Sequence, residues 1–329
     1  MLLSSKFQAH TNIALIKYWG KRHQSLILPV TSSLSMTLDA FYTQTQVDFD
    51  SSLTQDQFTL NDQLQSELAT AKISRFVDLF RNLAQCDLKV KVSSKNFVPT
   101  AAGLASSASA YAALACACNQ ALDLGLDSKS LSILARQGSG SACRSLFGGL
   151  VEWEKGSGSD SQSSFAYQLD PGDWGLAMIA IVINSEPKPF SSRQGMQHTL
   201  ESSPFYQLWP QTVAEDLQAM KKAIRDRDID QMGQIAEHNA LKMHATMLSA
   251  NPGFTYFEAG SLKAINAVRD LREKQGLTAY FTMDAGPNVK VLCPLDQVST
   301  IYKQLAKSFA SDQLLCSSVG PAPFALEVD

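Results

Sequence analysis

The sequence predicts a two-lobed α+β protein, and three observations support this fold class. A chain of 329 residues with 45% hydrophobic residues is long enough for two domains or for one large domain with two lobes. Segments with the two-residue period of strands and segments with the helical period of 3.6 residues both occur along the chain. A proline-containing, irregular stretch at 185–210 divides them, so we expect lobes at 1–185 and 186–329.

The first lobe begins with strands. Residues 4–50 are rich in β-forming residues, and 87–92 alternates between apolar and polar side chains. Residues 66–84 have helical spacing, with one apolar face. A further helix opens in the segment 99–109, and it is apolar nearly all round, which is typical of a buried helix. The remaining predicted elements of this lobe are a helix at 128–136 and strands at 150–153 and 176–184.

The second lobe is predicted to contain more helix than strand. Helical spacing and turn residues give helices near 211–226, 229–249, 257–274 and 296–309, and strands at 278–283 and 288–293.

Composition excludes several classes of protein. The net charge is −3 and only 18% of residues are charged, so the chain is not a general nucleic-acid binder. No segment reaches the roughly 20 apolar residues that cross a bilayer, and the first residues lack a signal-peptide pattern, so we expect a cytoplasmic protein without a membrane partner. Six cysteines in a chain of this length do not make a disulfide framework, and five histidines show no metal-binding spacing.

Two segments have the composition of anion sites. Small and hydroxyl residues at the helix start in 99–109 could let a phosphate approach backbone N–H groups, although such a start is more often only a cap. It is neither a Walker A loop nor a dinucleotide fingerprint. The segment 138–145 has similar chemistry and adds Arg144, whose planar fork suits carboxylate or phosphate. By itself, it could be a capping serine beside a solvated arginine.

The segment 12–22, NIALIKYWGKR, and the segment 281–288, FTMDAGPN, are the most informative pair. The first groups cations and two aromatics around Gly20, which favours a partly buried wall over ordinary surface charge. The second places Asp284 where an apolar strand turns. Such an acid is often only a turn former, and it becomes a candidate base if it faces cations and an anionic ligand.

Five segments together resemble the diphosphomevalonate decarboxylase family. The segments 12–22 and 28–35 are similar to its signature, and 99–109 resembles the phosphate loop of the wider GHMP kinase superfamily in its decarboxylase form. The segments 139–149 and 281–288 are also similar to this family, with Val30-Thr31 as in bacterial members. The matches follow the family's order and span most of the chain.

The resemblance implies a fold, a reaction and partners. The fold is the two-lobed GHMP kinase fold, with an N-terminal lobe like domain 2 of ribosomal protein S5, a C-terminal ferredoxin-like lobe and the active-site cleft between them. The reaction is the ATP-dependent decarboxylation of (R)-5-diphosphomevalonate to isopentenyl diphosphate, CO2, ADP and phosphate, on the mevalonate route to isoprenoids. Mg2+ accompanies the nucleotide, and the protein is a homodimer.

The resemblance also implies roles for individual residues. Asp284 positions or deprotonates the tertiary hydroxyl, Arg144 grips the substrate carboxylate, and Lys21 takes part in catalysis. The substrate contacts are Tyr18, Trp19, Gly20, Lys21, Lys72, Ser139, Gly140, Ser141, Ala142, Cys143, Arg144, Ser192 and Arg193. The nucleotide contacts are Ser94, Asn96, Gly103, Ala105, Ser106, Ser107 and Lys188, with Ser106 also a ligand of Mg2+.

Three alternatives remain open at this point. A related small-molecule kinase of the same superfamily would phosphorylate without releasing CO2. A decarboxylase acting on the monophosphate would need the same carboxylate chemistry with a smaller anion site. A catalytically silent binding protein on the same fold would have no need of Asp284 and Arg144 together.

Overall fold

The computed structural model describes residues 2–98, 106–184, 186 and 190–328. The strands are β1 (Leu2–Ile16), β2 (Lys21–His23), β3 (Leu28–Pro29), β4 (Ser33–Asp50), β5 (Gln57–Leu60), β6 (Gln63–Leu64), β7 (Lys89–Phe97), β8 (Leu150–Trp153), β9 (Ala166–Asp170), β10 (Leu176–Ile181), β11 (Tyr280–Met283), β12 (Val289–Pro294), β13 (Leu314–Ser318) and β14 (Phe324–Leu326). The helices are α1 (Glu67–Ala84), α2 (Ser106–Ala121), α3 (Ser128–Gly138), α4 (Ser192–Ser202), α5 (Trp209–Arg225), α6 (Ile229–Leu248), α7 (Ala259–Gln275) and α8 (Val298–Leu305). Short 3-10 helices span Gly140–Leu146, Pro204–Leu208, Leu295–Gln297 and Ser311–Gln313.

The described residues form two large sheets and the two-stranded sheet β2-β3, and the two large sheets confirm the expected two-lobed α+β architecture. The larger sheet has the order β14-β1-β4-β7-β5-β6, with β8 joined to β4 and β9 joined to β8. The smaller sheet has the order β11-β12-β10-β13. The long antiparallel pair of β1 and β4 shifts register between His10 and Asn12 and again between Ala14 and Ile16. Such irregularities bend a strand and redirect its side chains, and these lie where β1 approaches the cleft described below.

Alternation along β10 explains how the second lobe packs. Ala177, Ile179 and Ile181 belong to a core that includes α7 and α8. Met178 and Ala180, on the other face of the strand, belong to the core of α5 and α6. A strand that is buried on both faces has no polar side. This explains why every residue of Leu176–Ile181 is apolar.

A shared apolar core joins the lobes. Ile13 and Leu15 of β1 lie in one cluster with Met178 of β10, Trp209 of α5 and Met243 of α6. The helices α5 and α6 therefore pack in the core that joins the two sheets, and Met243 of α6 lines the cleft described below.

Sheet pairing assigns β10 to the smaller sheet. The strand Leu176–Ile181 was expected in the first lobe, 1–185, yet it pairs with β12 and β13 of the smaller sheet. The strand Phe324–Leu326 returns to the larger sheet and pairs with β1. The chain thus passes to the smaller sheet between β9 and β10, before the proline-containing stretch. Periodicity does not reveal this, because sheet membership depends on residues far away in the sequence.

The expectation of an irregular stretch over 185–210 is wrong for its second half. Helix α4 begins after Ser191, whose hydroxyl accepts the N–H of Gln194 at 3.2 Å while the Gln194 side chain accepts the N–H of Ser191 at 3.1 Å. This capping box starts the helix despite the flanking prolines. Among the helices of the described ranges, none combines the length and the apolar character that a bilayer span requires.

Candidate active site

A large cleft lies between the lobes and carries an excess of positive charge. Its volume is about 1260 Å³. Six cationic side chains and two carboxylates of the described residues line it: Lys17, Lys21, Lys72, Arg75, Arg144, Arg193, Glu186 and Asp284. In a chain of net charge −3, this local concentration of cations indicates a site for a polyanion.

The two most informative segments of the sequence meet at this cleft. Lys17 follows β1 and Asp284 follows β11, and the Lys17 Nζ lies 2.7 Å from the Asp284 Oδ1. The same Nζ donates to the Ala14 carbonyl at 2.7 Å. The backbone N–H of Lys17 donates to Asn239 Oδ1 of α6 at 2.8 Å, which fixes where the lysine leaves the strand. An acid and a lysine 267 residues apart thus form one ion pair.

The ion pair is asymmetric in its exposure. Lys17 is 1% exposed, whereas the Asp284 side chain retains 31% of its surface and faces the cleft. Burial lowers the pKa of Lys17 to about 8, although Asp284 beside it opposes the shift. A paired carboxylate that still has an open side can accept a hydrogen bond or a proton from a ligand.

The pKa of Lys17 predicts an alkaline limb in the activity. A lysine is charged below its pKa, so the pairing with Asp284 weakens as pH rises through about 8. We expect kcat/KM to fall with a midpoint near pH 8, since this parameter reports the free enzyme. In Lys17→Arg the overall rate should drop, but the limb should move upward because a guanidinium stays charged. Steady-state kinetics from pH 6 to 10 would test this, and an identical limb in both proteins would exclude Lys17 as its source.

Arg144 is held by three polar side chains from the larger sheet. Its Nε donates to Asn12 Oδ1 at 3.2 Å and to Ser35 Oγ at 2.9 Å, and its Nη1 donates to Ser33 Oγ at 2.7 Å. The guanidinium also lies 5.8 Å from the ring centre of Trp153. Burial lowers the pKa of Arg144 from its usual high value, but an arginine remains charged. The cleft therefore contains a rigidly oriented fork for a planar anion.

Aromatic residues after β1 form the wall expected from the sequence. The Tyr18 ring lies 4.7 Å from that of Trp153, and the Tyr18 hydroxyl is buried without a hydrogen-bond partner among the described residues. The carbonyl of Trp19 accepts the hydroxyl of Tyr206 at 2.8 Å. Because an unsatisfied buried hydroxyl is costly, Tyr18 is suited to donate to a ligand oxygen.

Gly20 is required by geometry, which gives a stability prediction. Its φ is +114°, and a Cβ there would lie 1.7 Å from the Tyr206 hydroxyl. Strain at positive φ and forced repacking each cost on the order of 1–3 kcal/mol, so we expect Gly20→Ala to lower the free energy of unfolding by about 3 kcal/mol. Urea unfolding would measure it. Gly276→Ala is the matched control, since Gly276 also has positive φ but open space around it, and its loss should be about 1 kcal/mol. Equal losses would show that contact with Tyr206 is unimportant.

The remaining predicted substrate contacts divide into two groups. Lys21, Lys72, Ser139, Gly140, Ser141, Ser192 and Arg193 line the cleft. Ala142 and Cys143, which were expected beside them, have completely buried side chains and are not among the lining residues. Their 3-10 helix directs these side chains inward, and Cys143 packs against Trp153, Val151 and Ala166. Arg22 is also directed elsewhere, donating to the carbonyls of Pro29 and Gly158.

The residues expected to contact the nucleotide include the start of α2. Ser106 and Ser107 line the cleft there, and the Ser107 hydroxyl lies within hydrogen-bond distance of that of Ser139, at 3.2 Å. Gly103, Ala105 and Lys188 lie outside the described residues. Ser94 and Asn96 do not line the cleft: the Ser94 hydroxyl bonds with Thr45 at 2.9 Å, and the Asn96 side chain accepts from Thr43 at 2.9 Å. Both hydrogen bonds lie within the β4–β7 pair, which occupies the polar atoms expected for the nucleotide.

The oxygen donors of this side fit Mg2+ held together with phosphates. The described residues contain no group of three His, Cys, Asp or Glu side chains arranged to hold a metal. Mg2+ commonly takes only one or two protein oxygens and completes its shell with water and phosphate. The hydroxyls of Ser106 and Ser107 beside a helix N-terminus, with Glu186 also at the cleft, satisfy that requirement.

Several residues at the site were not predicted as functional. Asn12 belongs to the segment 12–22, but the sequence predicts no role for it. Its side chain forms hydrogen bonds with Arg144, Ser141 and Ser145. Lys290 is fully buried in β12, with its Nζ 3.4 Å from Asp284 Oδ2. His244 of α6 is buried beside this cluster, and burial lowers its pKa to about 4, so it is neutral. The available sequence signal for Lys290 was a lysine within an apolar strand. In a periodic pattern, such a residue counts as an exception and does not by itself indicate a site.

Comparisons with known proteins find matches along most of the chain. Residues 9–166 match the family model described as the diphosphomevalonate decarboxylase-like N-terminal domain, and residues 178–322 match the mevalonate 5-diphosphate decarboxylase C-terminal domain. Diphosphomevalonate decarboxylase of Candida albicans is 34% identical, with 98% of each chain covered. A solved structure of MDDEF in complex with MVAPP, AMPPCP and magnesium is 51% identical with a TM-score of 0.94, covering 100% of both chains. Mevalonate diphosphate decarboxylase from Staphylococcus aureus is 48% identical with a TM-score of 0.95 over 99% of both chains.

Proposed function

The chain belongs to the diphosphomevalonate decarboxylase family, and from this premise we propose how its cleft performs the family's reaction. The enzyme catalyses the ATP-dependent decarboxylation of (R)-5-diphosphomevalonate to isopentenyl diphosphate, CO2, ADP and phosphate. It uses ATP and Mg2+, in keeping with the AMPPCP and magnesium of the MDDEF complex. The observation that carries the proposed mechanism is the Lys17–Asp284 pair, which opens onto a cleft that also holds Arg144.

Recognition of the substrate begins with its diphosphate. Lys21, Lys72 and Arg193 line the cleft with the unpaired hydroxyl of Tyr18, and together they match a group of several negative charges. Burial and the nearby charge of Arg193 lower the pKa of Lys21. An anion bound beside Lys21 therefore stabilises the charged form of the lysine. We assign Lys21 to the diphosphate, and its catalytic contribution is to hold the reacting carbon in place.

Asp284 acts on the tertiary hydroxyl. Its carboxylate accepts the hydroxyl proton while the hydroxyl oxygen forms a bond to the γ-phosphorus of ATP, and ADP leaves. Lys17 holds one carboxylate oxygen, Oδ1, at 2.7 Å. Mg2+, when bound with the nucleotide at Ser106 and Ser107, neutralises the charge of the phosphates.

Arg144 aligns the substrate carboxylate. Its fixed fork holds the two carboxylate oxygens. CO2 and the newly formed phosphate then leave from opposite faces of the forming double bond. The electron pair of the breaking carbon–carboxylate bond becomes the double bond, and phosphate departs with the pair from the carbon–oxygen bond. The side-chain bonds from Asn12, Ser33 and Ser35 supply the preorganisation that such alignment requires.

One assay distinguishes the candidate activities. The protein is incubated with Mg-ATP and (R)-5-diphosphomevalonate, and ADP and CO2 are followed together. We expect equal amounts of both products. ADP without CO2 would indicate a kinase, activity only on 5-phosphomevalonate would indicate the monophosphate decarboxylase, and binding without either product would indicate a silent relative.

We propose in addition that the protein acts as a homodimer in the cytoplasm. Both proposals rest on the family resemblance. Light scattering of the purified protein would test the dimer, and a monomer at micromolar concentration would contradict it.

A further inference from the structure

Lys290 is a buried cation that the proposed mechanism does not use. It lies in the middle of β12 between Val289 and Val291, and it is 1% exposed. Its Nζ lies 3.4 Å from Asp284 Oδ2 and donates to the Asn288 carbonyl at 3.3 Å. Lys17 meets the other oxygen, Oδ1, at 2.7 Å. Each carboxylate oxygen of Asp284 therefore has its own buried lysine.

A second lysine is not needed to balance the charge of Asp284. One cation already neutralises the carboxylate, and each further buried ammonium group costs several kcal/mol in desolvation. The two lysines also repel each other, since the charge of Lys290 contributes to lowering the pKa of Lys17. A strand residue at this position could be apolar like its neighbours. The placement of a lysine there indicates a purpose other than stability.

The groups that face Asp284 come from four elements. Lys17 approaches from the end of β1, Lys290 from β12, and Arg144 adds its charge from the 3-10 helix Gly140–Leu146. His244 approaches from α6 and is neutral, because burial lowers its pKa to about 4. The acid is therefore surrounded by positive charge, and no second carboxylate is among these groups.

We propose that Lys290 is a positioning residue for the reaction, holding Oδ2 of Asp284 so that the carboxylate keeps one orientation and stays ionised before substrate binds. This rests on the proposed role of Asp284 as the acceptor of the hydroxyl proton. With Lys17 alone, the carboxylate could rotate about its Cβ–Cγ bond and turn its open side away. With both lysines in place, each carboxylate oxygen has its own contact, while the side chain keeps 31% of its surface exposed.

The first test is Lys290→Met, which fills a similar volume without the charge. We expect kcat to fall about 10- to 100-fold, as for a misplaced catalytic group, while KM for each substrate changes by less than about 3-fold. The acidic limb of kcat should move to higher pH, because removing a nearby cation raises the pKa of a carboxylate. Lys290→Arg restores the charge and should move the limb back towards that of the wild type.

The matched control is Lys221→Met. Lys221 pairs with the buried Glu152 at 2.6 Å, and neither residue lines the cleft. Its replacement should lower stability and leave the acidic limb unchanged. An unchanged kcat and limb in folded Lys290→Met, or the same shift in Lys221→Met, would overturn the proposal.

A second test needs no activity, so it separates this proposal from the proposed function. Asp284→Asn leaves two charged lysines facing each other, and we expect the thermal midpoint to fall. Adding Lys290→Met to that variant removes the repulsion and should raise the midpoint again. Simple additivity of the two changes would contradict the pairing, whatever the assay on diphosphomevalonate shows. If Lys290→Met does not fold alone, Asp284→Asn is compared directly with the double variant, and a double variant with no higher midpoint would contradict the pairing.

Discussion

We expect Asp284→Asn to lower kcat by at least about 10²-fold while the protein still binds (R)-5-diphosphomevalonate and ATP. The amide has nearly the same shape as the carboxylate, but it cannot accept the hydroxyl proton, and a positioned base contributes about 10²- to 10⁴-fold. Asp284 is the partly exposed member of the pair with Lys17, so the carboxylate is accessible to the substrate. Steady-state kinetics would measure the rate, and equilibrium titration calorimetry would measure binding.

Asp56→Asn is the control for this variant. Asp56 is also a carboxylate paired with a buried cation, Arg81, at 2.6 Å, but it lies outside the cleft. Its replacement should reduce stability and leave kcat close to that of the wild type. Near-normal turnover in Asp284→Asn would remove Asp284 from its role as the base, and lost binding would mean that its charge serves the architecture of the cleft.

The second large effect is expected for Arg144→Gln. The change removes a buried fork held by Asn12, Ser33 and Ser35, and losing one partner of a buried charged contact typically costs 2–5 kcal/mol. We expect kcat/KM to fall by about 10²-fold, with weaker substrate binding and slower CO2 release. Rapid-quench measurements should show ADP forming ahead of CO2, because Arg144 acts on the decarboxylation step, which follows phosphoryl transfer.

Two further variants make the Arg144 result specific. Arg144→Lys keeps the charge without the fork, so it should recover only part of the binding. Arg136→Lys alters an equally buried arginine, which donates to the carbonyls of Leu26 and Ser161 away from the cleft, and CO2 release should keep pace with ADP. Unchanged kinetics in Arg144→Gln would exclude the carboxylate clamp.

The parts of the fold that were predictable depend on local patterns. The expected helix at 66–84 and the observed Glu67–Ala84 agree, because Phe76, Val77 and Phe80 mark one buried face. The short strands Leu314–Ser318 and Phe324–Leu326 were not predicted, since a few residues carry little periodic signal and their partners lie in different sheets. The same non-local pairing placed Leu176–Ile181 in the second lobe rather than the first.

The candidate site was predictable as separate residues rather than as an arrangement. A cation-rich segment and an acid at a strand end were visible in the sequence, and their meeting at 2.7 Å required the fold. Side chains whose polar atoms are already used could not be recognised, so Ser94 was placed at the nucleotide although it bonds Thr45. Asn239 and Lys290 were missed because one lies on a helix without a motif and the other in an apolar strand.

The return of β14 to the larger sheet has a mechanical consequence. The backbone crosses between the sheets after β9 and again after β13, and at the second crossing the N–H of Gly320 donates to the Thr37 carbonyl at 2.8 Å. The two crossings define one axis about which the lobes could rotate. Rotation about any other axis would stretch the backbone at one of the crossings. Because the N–H of Gly149 also bonds the Gly320 carbonyl at 3.1 Å, the second crossing is held beside the larger sheet. The lobes are thus joined by two chain crossings and by a shared apolar core, so moving one against the other would disturb the contacts of that core.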